Sequence, residues 1–442
     1  MRLAATFLFA AVLLTTIAAV RPYEYDEAYS IFLTTAHARP PWPTGIFTPA
    51  DVQHFFTGYP SFSQIATDLR TGDVHPPLYF WLLNEWRHAT SPNWFVARLL
   101  SVLISLAGLA TLASSAHQMK IPVIPSILIT LLAYGFAYTS ITARGFALAQ
   151  SLNLLGFALV SRHAAEDRHP KLAFLAGLAF GAASFTNYLA IFTPLGLFIA
   201  QVFTRPRKIF ITALGIAMFL PADLYFFLAQ RTSRTGQFTP FHLTHALTLL
   251  AKDQAAALFG GLPLYAGNLA PLVIIALATL SLMCLIAILK HRTPATTTLA
   301  LTAAATPIGL LTLGIIFNNT PIEIRYCAFG LPFIGLLCAQ IKPTMLRNTL
   351  IFTEALASIG LALAPSTAQP QAAAATQAPP RILILLPTGN DSVGIPGPFS
   401  FTVTSYQIYP PIPASRWPPS PSTMRVNKPF QTSRLHSPNT GS

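Results

Sequence analysis

Long apolar runs separated by short polar gaps dominate the chain, and they predict membrane-spanning helices. A spanning helix needs about 20 mostly apolar residues, with about 17 the usual lower limit. Eleven segments approach that length: Leu3–Val20, Trp94–Ala116, Ile121–Tyr138, Gly145–Ser161, Leu172–Phe185, Tyr188–Phe203, Ile209–Leu228, Leu269–Leu289, Ala295–Phe317, Tyr326–Ile341 and Thr349–Ala364. They are apolar on all sides, as lipid-facing helices are, so periodicity adds little. Each half of Leu172–Phe203 is short. Read as one helix, it would put Arg162, Arg168 and Lys171 on the opposite side from Arg205, Arg207 and Lys208. Two helices, broken near Ser184-Phe185-Thr186-Asn187, fit the charge pattern better.

Composition agrees with the pattern. Of 442 residues, 53% are hydrophobic and only 9% charged, and the mean hydropathy is +0.54; a soluble domain is about one quarter charged. The net charge of +13 does not point to nucleic acid, since no basic block or nucleic-acid module accompanies it. Topology accounts for it. With the N-terminus inside, the inner gaps receive Arg2, Lys120, Arg162, Arg168, Lys171, Arg205, Arg207, Lys208, Lys290, Arg292, Lys342 and Arg347, and the short outer gaps only Arg144 and Arg325. That is the asymmetry of the positive-inside rule. Leu3–Val20 has a second reading as a signal peptide with small residues at Ala18-Ala19, which leaves the following loop on the same side. Cys284, Cys338 and Cys327 lie in or beside apolar segments without metal spacing and read as small core residues.

The chain thus divides into a transmembrane domain, residues 1–364, and a tail, residues 365–442, rich in Pro, Ser and Thr. Two long loops, 21–93 and 229–267, fall outside. In the tail, Arg381–Pro387 reads as a buried strand, and the region from Pro396 onward as disordered or part of a truncated small domain.

The first outer loop concentrates the polar chemistry. Glu24, Asp26 and Glu27 follow the first apolar segment directly. Each Asp at a helix centre would cost about 2.5–3.5 kcal/mol, so these acids are expected to face water or a polar cavity. Phe62–Leu69 interleaves apolar and polar residues after the Pro-rich break Arg39-Pro40-Pro41-Trp42-Pro43. Asp73 and His75 precede Pro77, and Leu78–Leu83 is too short to span and ends in Asn84-Glu85-Trp86-Arg87-His88. It reads as a helix lying in the membrane interface, with Tyr and Trp at headgroup depth.

The order of these features resembles the GT-C membrane glycosyltransferases, nearest the bacterial branch related to protein O-mannosyltransferases and to the aminoarabinose and galacturonic acid transferases of lipopolysaccharide. The residues that carry the resemblance are Asp26-Glu27, His75-Pro76-Pro77-Leu78-Tyr79, Ala97-Arg98-Leu99-Leu100-Ser101, Thr142-Ala143-Arg144-Gly145-Phe146-Ala147-Leu148, and Arg325-Tyr326 with Leu331-Pro332. The resemblance covers about residues 1–345. Phe146 stands where that branch usually has Tyr, and Asn187-Tyr188 where many members have His-Tyr. The resemblance implies an all-α polytopic fold with a large first outer loop carrying interfacial helices. It also implies inverting transfer of a sugar from a polyprenyl-phosphate donor to an envelope glycan, lipid or protein, on the outer face of a bacterial inner membrane. Its acidic motif maps onto Asp26 and Glu27, the first as catalytic base.

The residues can be read for that chemistry directly. Transfer from a lipid phosphate needs a base for the acceptor hydroxyl and cations for the departing phosphate. Asp26, ionised at neutral pH from an ordinary pKa of about 3.9, suits the base; its other reading is an N-cap for a helix over Glu27–Thr34. Glu27 either orients a partner, binds the acceptor or is solvated. His75 donates to a phosphate, joins Asp73 at a metal, or is an ordinary interfacial histidine. Arg144 and Arg325 sit at the mouths of apolar segments, where a guanidinium either grips phosphate at two points or snorkels to headgroups. Arg325 is flanked by Glu323 and Tyr326, and phosphate binding is the favoured reading for that group. Tyr25, Tyr29 and Tyr79 are candidates for stacking on sugar. A divalent metal ion is a further means of neutralising the phosphate, and the sequence fits its presence or absence equally. The alternative class is a transporter or flippase of a lipid-linked or envelope substrate. It would place ionisable residues mid-helix, where Asp223 is the main example here.

Overall fold

The computed structural model describes residues 1–38, 49–162, 170–231, 238–290 and 292–363, with 381–383, 393 and 407–409 of the tail. The Pro-rich break at 39–43, Arg168 and most of the tail beyond Pro396 lie outside the described residues. The protein is an all-α, multi-pass membrane protein in its main part. Among the described residues, Arg2–Val20, Trp94–Gln118, Gly267–Leu289, Pro294–Phe317 and Thr344–Leu363 are long and apolar enough to cross a membrane. Two bent pairs raise the number to seven: Val123–Leu132 with Tyr134–Ile141, at 72°, and Pro206–Ala217 with Leu220–Gln230, at 55°. Phe146–Ser161, Pro170–Ser184, Tyr188–Gln201 and Ile324–Ala339 are shorter apolar helices. All eleven apolar segments of the sequence are therefore helical, although length and composition support five to seven as full crossings.

The breaks have local causes. Between Pro170–Ser184 and Phe192–Gln201 the chain turns through Asn187, whose side chain accepts a hydrogen bond from Leu189 N at 3.0 Å, and continues as the 3-10 turn Tyr188–Ile191. At the 72° bend, Ser358 Oγ donates to the freed carbonyl of Leu132 at 2.9 Å, so the break leaves that group satisfied within the helix bundle. The Pro170–Ser184 and Pro206–Ala217 helices meet backbone to backbone. A Cβ on Gly177 would stand 2.1 Å from the Thr212 carbonyl oxygen, so only glycine allows this approach.

The first long loop folds onto the bundle through the helices Tyr25–Phe32, Phe62–Gly72 and Leu78–Ala89, with the short Pro49–Gln53 helix and the His54–Phe56 3-10 turn among them. In Phe62–Gly72 the apolar positions 62, 65, 66 and 69 form a helical stripe; Ser61 caps its start by accepting from Gln64 N, and Ile65 and Leu69 are buried against Leu33 and Phe80. The Leu78–Ala89 helix turns its apolar side to the protein. Tyr79, Phe80 and Leu83 are buried, and Tyr79 hydroxyl pairs with Ser101 Oγ at 3.3 Å, so Tyr79 faces the protein interior. Arg87 is buried with them. Its guanidinium donates to Thr34 Oγ1 at 2.8 Å, to the Phe56 carbonyl at 3.1 Å and to the Thr34 carbonyl, tying this helix to the end of Tyr25–Phe32. Burial lowers its pKa to about 10, which leaves it ionised at neutral pH.

The described parts of the tail form a short strand pair and one buried contact. The strand at Arg381–Leu383 has a partner, Gln407–Tyr409, paired in parallel. Val393 is buried in the loop's apolar cluster with Tyr29, Phe32 and Trp94.

Candidate active site

The Tyr25–Phe32 helix begins with a reciprocal cap. Glu24 is the N-cap: its side chain accepts from the Glu27 backbone, and the Glu27 side chain accepts from Glu24 N at 3.0 Å. Capping therefore falls to Glu24, and Asp26 is left in the first turn. Glu27 faces neither water nor a cavity. It is 1% exposed and also accepts from Arg98 Nε at 2.7 Å, Arg98 NH2 at 2.6 Å and Ala143 N at 3.1 Å. Arg98 spends its remaining donors on the carbonyls of Ala18 at 2.7 Å, Arg21 at 2.5 Å and Pro22 at 2.8 Å. All five of its N–H groups are thus used. The pair fastens the end of the first span, the start of the acidic helix and the extended turn before Phe146 to one point.

Asp26 meets a residue from the far end of the chain. Arg325, at the start of Ile324–Cys327, pairs through NH1 with Asp26 and through NH2 with Glu323. These side chains stay partly exposed, Asp26 13%, Arg325 18% and Glu323 30%. Arg325 and Glu323 line a cleft of about 430 Å³, together with Arg21, Glu24, Tyr134, Tyr138 and Asp253. Glu24 accepts there from Tyr138 hydroxyl at 2.6 Å and from Arg21 NH2 at 2.9 Å. The rings of Tyr134 and Tyr138 are stacked, 11° apart in plane and 6.2 Å between centroids. Asp253 comes from Leu243–Phe259, in the second long loop, and burial raises its carboxyl above the usual range.

Arg144 takes no part in lining that cleft. It is 2% exposed, reaches Asp73 Oδ2 at 3.1 Å and Oδ1 at 3.2 Å, and donates to Ser30 Oγ at 3.2 Å. His75 Nδ1 lies 2.7 Å from Asp73 Oδ1 and 3.0 Å from Arg144 NH2. Ser30 Oγ in turn donates to the Asp26 carbonyl at 2.9 Å, so this second cluster supports the acidic helix one turn beyond Asp26. Phe146 stands between the two groups, its ring centroid 6.4 Å from that of His75 and 6.2 Å from that of Tyr326. Tyr326 is itself buried under Arg325, whose guanidinium lies 5.3 Å from its ring. Tyr25 is half exposed beside Tyr29, whereas Tyr79 is out of reach of any ligand.

The structure therefore joins Asp26, Glu323 and Arg325 in one exposed group, and Asp73, His75 and Arg144 in a buried one. Among the described residues, no group of three His, Cys, Asp or Glu stands close enough to hold a metal ion. Arg21, Arg98, Tyr134, Tyr138 and Asp253 were not singled out from sequence as site residues. Arg98 had a signal, being a cation inside an apolar segment, and Tyr134 and Tyr138 share a helix face by their spacing of four.

No protein-family model matches the sequence, and no curated protein does. Among solved structures, ArnT from Cupriavidus metallidurans in the apo state superposes with a TM-score of 0.51 at 14% identity, over 83% of this chain and 66% of that one. The same protein bound to undecaprenyl phosphate gives 0.50 and 14%, over 90% of this chain and 84% of that one. An oligosaccharyltransferase from Archaeoglobus fulgidus, tethered to an acceptor peptide, gives 0.44 and 10%, over 85% and 57%. The chain spans just under two thirds of the length of apo ArnT. The fold is similar to that of ArnT from Cupriavidus metallidurans.

Proposed function

We propose that the protein is an inverting glycosyltransferase. It moves a sugar from a polyprenyl-phosphate donor to an envelope acceptor, lipopolysaccharide, another glycan or protein, on the outer face of a bacterial inner membrane. The observation that carries the proposal is the pairing of Asp26 with Arg325 beside a cleft, in a fold whose solved representative is known with undecaprenyl phosphate bound. Asp26 takes the proton of the acceptor hydroxyl as its oxygen attacks the anomeric carbon. The bond from that carbon to the phosphate oxygen breaks, and the polyprenyl phosphate leaves with the electron pair. Arg325 receives the leaving phosphate, whose charge competes with Asp26 and Glu323 for the guanidinium. That exchange frees the base when the donor is in place.

In this reading Glu27 and Arg98 are positioning residues, and Arg144, Asp73 and His75 hold the acidic helix from behind. The test is mass spectrometry of envelope glycans and lipids from cells with and without the gene. Loss of a hexose, pentose or uronic acid from one acceptor is expected, and an unchanged envelope would defeat the proposal.

A further inference from the structure

One acid of the cleft stands without a charged or hydrogen-bonding partner among the described residues. Glu24 is compensated by Arg21 and Tyr138, and Asp26 and Glu323 by Arg325. Asp253 makes no hydrogen bond or ion pair with the described residues, and burial is the sole cause of its shifted carboxyl. The Leu243–Phe259 helix that carries it packs against Tyr134–Ile141 and Ile324–Cys327, so the carboxylate joins a cleft also lined by Tyr134 and Tyr138, whose rings lie 11° apart in plane, with the Arg21 guanidinium 5.9 Å from the Tyr138 ring. A cleft of about 430 Å³ lies within the common range for small-molecule sites, about 300–1,000 Å³.

Flat aromatic faces suit the C–H face of a pyranose, and an uncompensated carboxylate suits the hydrogen-bond donors around its rim. We infer that Asp253 is a specificity-determining residue that accepts hydrogen bonds from the sugar, whose ring lies on Tyr134 and Tyr138. The inference rests on the transferase reading and adds the second long loop to the site. The donor on the sugar is a hydroxyl or an ammonium group, and the two are separated by choice of probe.

The test titrates the full chain in lipid nanodiscs with methyl β-glucopyranoside and with its 2-amino-2-deoxy analogue, read by saturation-transfer NMR. Asp253→Ala is expected to weaken at least one probe by about 10-fold or more, the effect of losing a hydrogen bond to a charged group. A loss confined to the amino sugar identifies ammonium, and a loss with the neutral sugar identifies hydroxyl. The melting temperature of Asp253→Ala should not fall below that of wild type, because burial disfavours the carboxylate and no hydrogen bond or ion pair with the described residues is removed. Binding by Asp253→Ala equal to wild type for both probes, or no binding of either by wild type, overturns the inference. Failure of the transferase reading is a separate result, sugar transfer that survives Asp26→Asn.

Discussion

The Glu27 carboxylate and the Arg98 guanidinium share two hydrogen bonds, of 2.7 and 2.6 Å, with both side chains no more than 2% exposed. Removing one partner of such a pair leaves the other charged, buried and unpaired, at a cost of about 3–5 kcal/mol. Glu27→Ala and Arg98→Ala are each expected to lose about that much stability in denaturant unfolding in detergent. The double variant should lose clearly less than their sum. Full additivity would show that the two side chains are not coupled.

Arg87 anchors the other end of the acidic helix through the Thr34 and Phe56 carbonyls and Thr34 Oγ1, with no carboxylate partner among the described residues. Arg87→Met should destabilise the loop by about 1–3 kcal/mol, the cost of leaving buried acceptors unpaired. Its folded pKa of about 10 lies below the ordinary arginine value. A lowered cation pKa makes the unfolded chain bind more protons only between those two values, so this residue's term raises stability with pH there and is flat below about pH 9. The loss measured for Arg87→Met should therefore be the same at pH 6 and pH 8. A loss that changes between them would contradict this assignment.

Arg325 is expected to dominate recognition of the lipid phosphate. Arg325→Ala should weaken binding of undecaprenyl phosphate by about 10- to 100-fold, and Arg325→Lys by less, since a lysine supplies charge without the two-pronged geometry. Arg144→Ala should instead reduce stability, because Arg144 is enclosed by Asp73, His75 and Ser30. Calorimetric titration of both variants in nanodiscs distinguishes the roles. Equal losses of phosphate affinity would place Arg144 at the ligand.

Much of this architecture was legible from residue order. The apolar runs announce the helices, the break near Asn187 follows from the charge pattern, and the acids after the first span mark the loop that carries the candidate site. Distance along the chain hid the rest. Nothing local to Arg98 says that its fork will gather carbonyls from Ala18, Arg21 and Pro22, and Glu27 looks like its neighbour Asp26 until that fork claims it. Arg144 and Arg325 look alike from sequence, each a cation at the mouth of an apolar segment. Packing separates them, since Asp73 closes over Arg144 while Arg325 stays at the cleft. Asp253 was passed over because its helix lies in a loop whose contacts with Tyr134–Ile141 are purely tertiary.

The measurement that bears most directly on the central claim is sugar transfer by Asp26→Asn protein in lipid nanodiscs, followed beside its affinity for undecaprenyl phosphate. Loss of a general base is expected to slow transfer by about 10²- to 10⁴-fold, while affinity for the lipid phosphate stays level or rises because Asp26 no longer competes for Arg325. Transfer at the wild-type rate by this variant would contradict the assignment of Asp26 as the base.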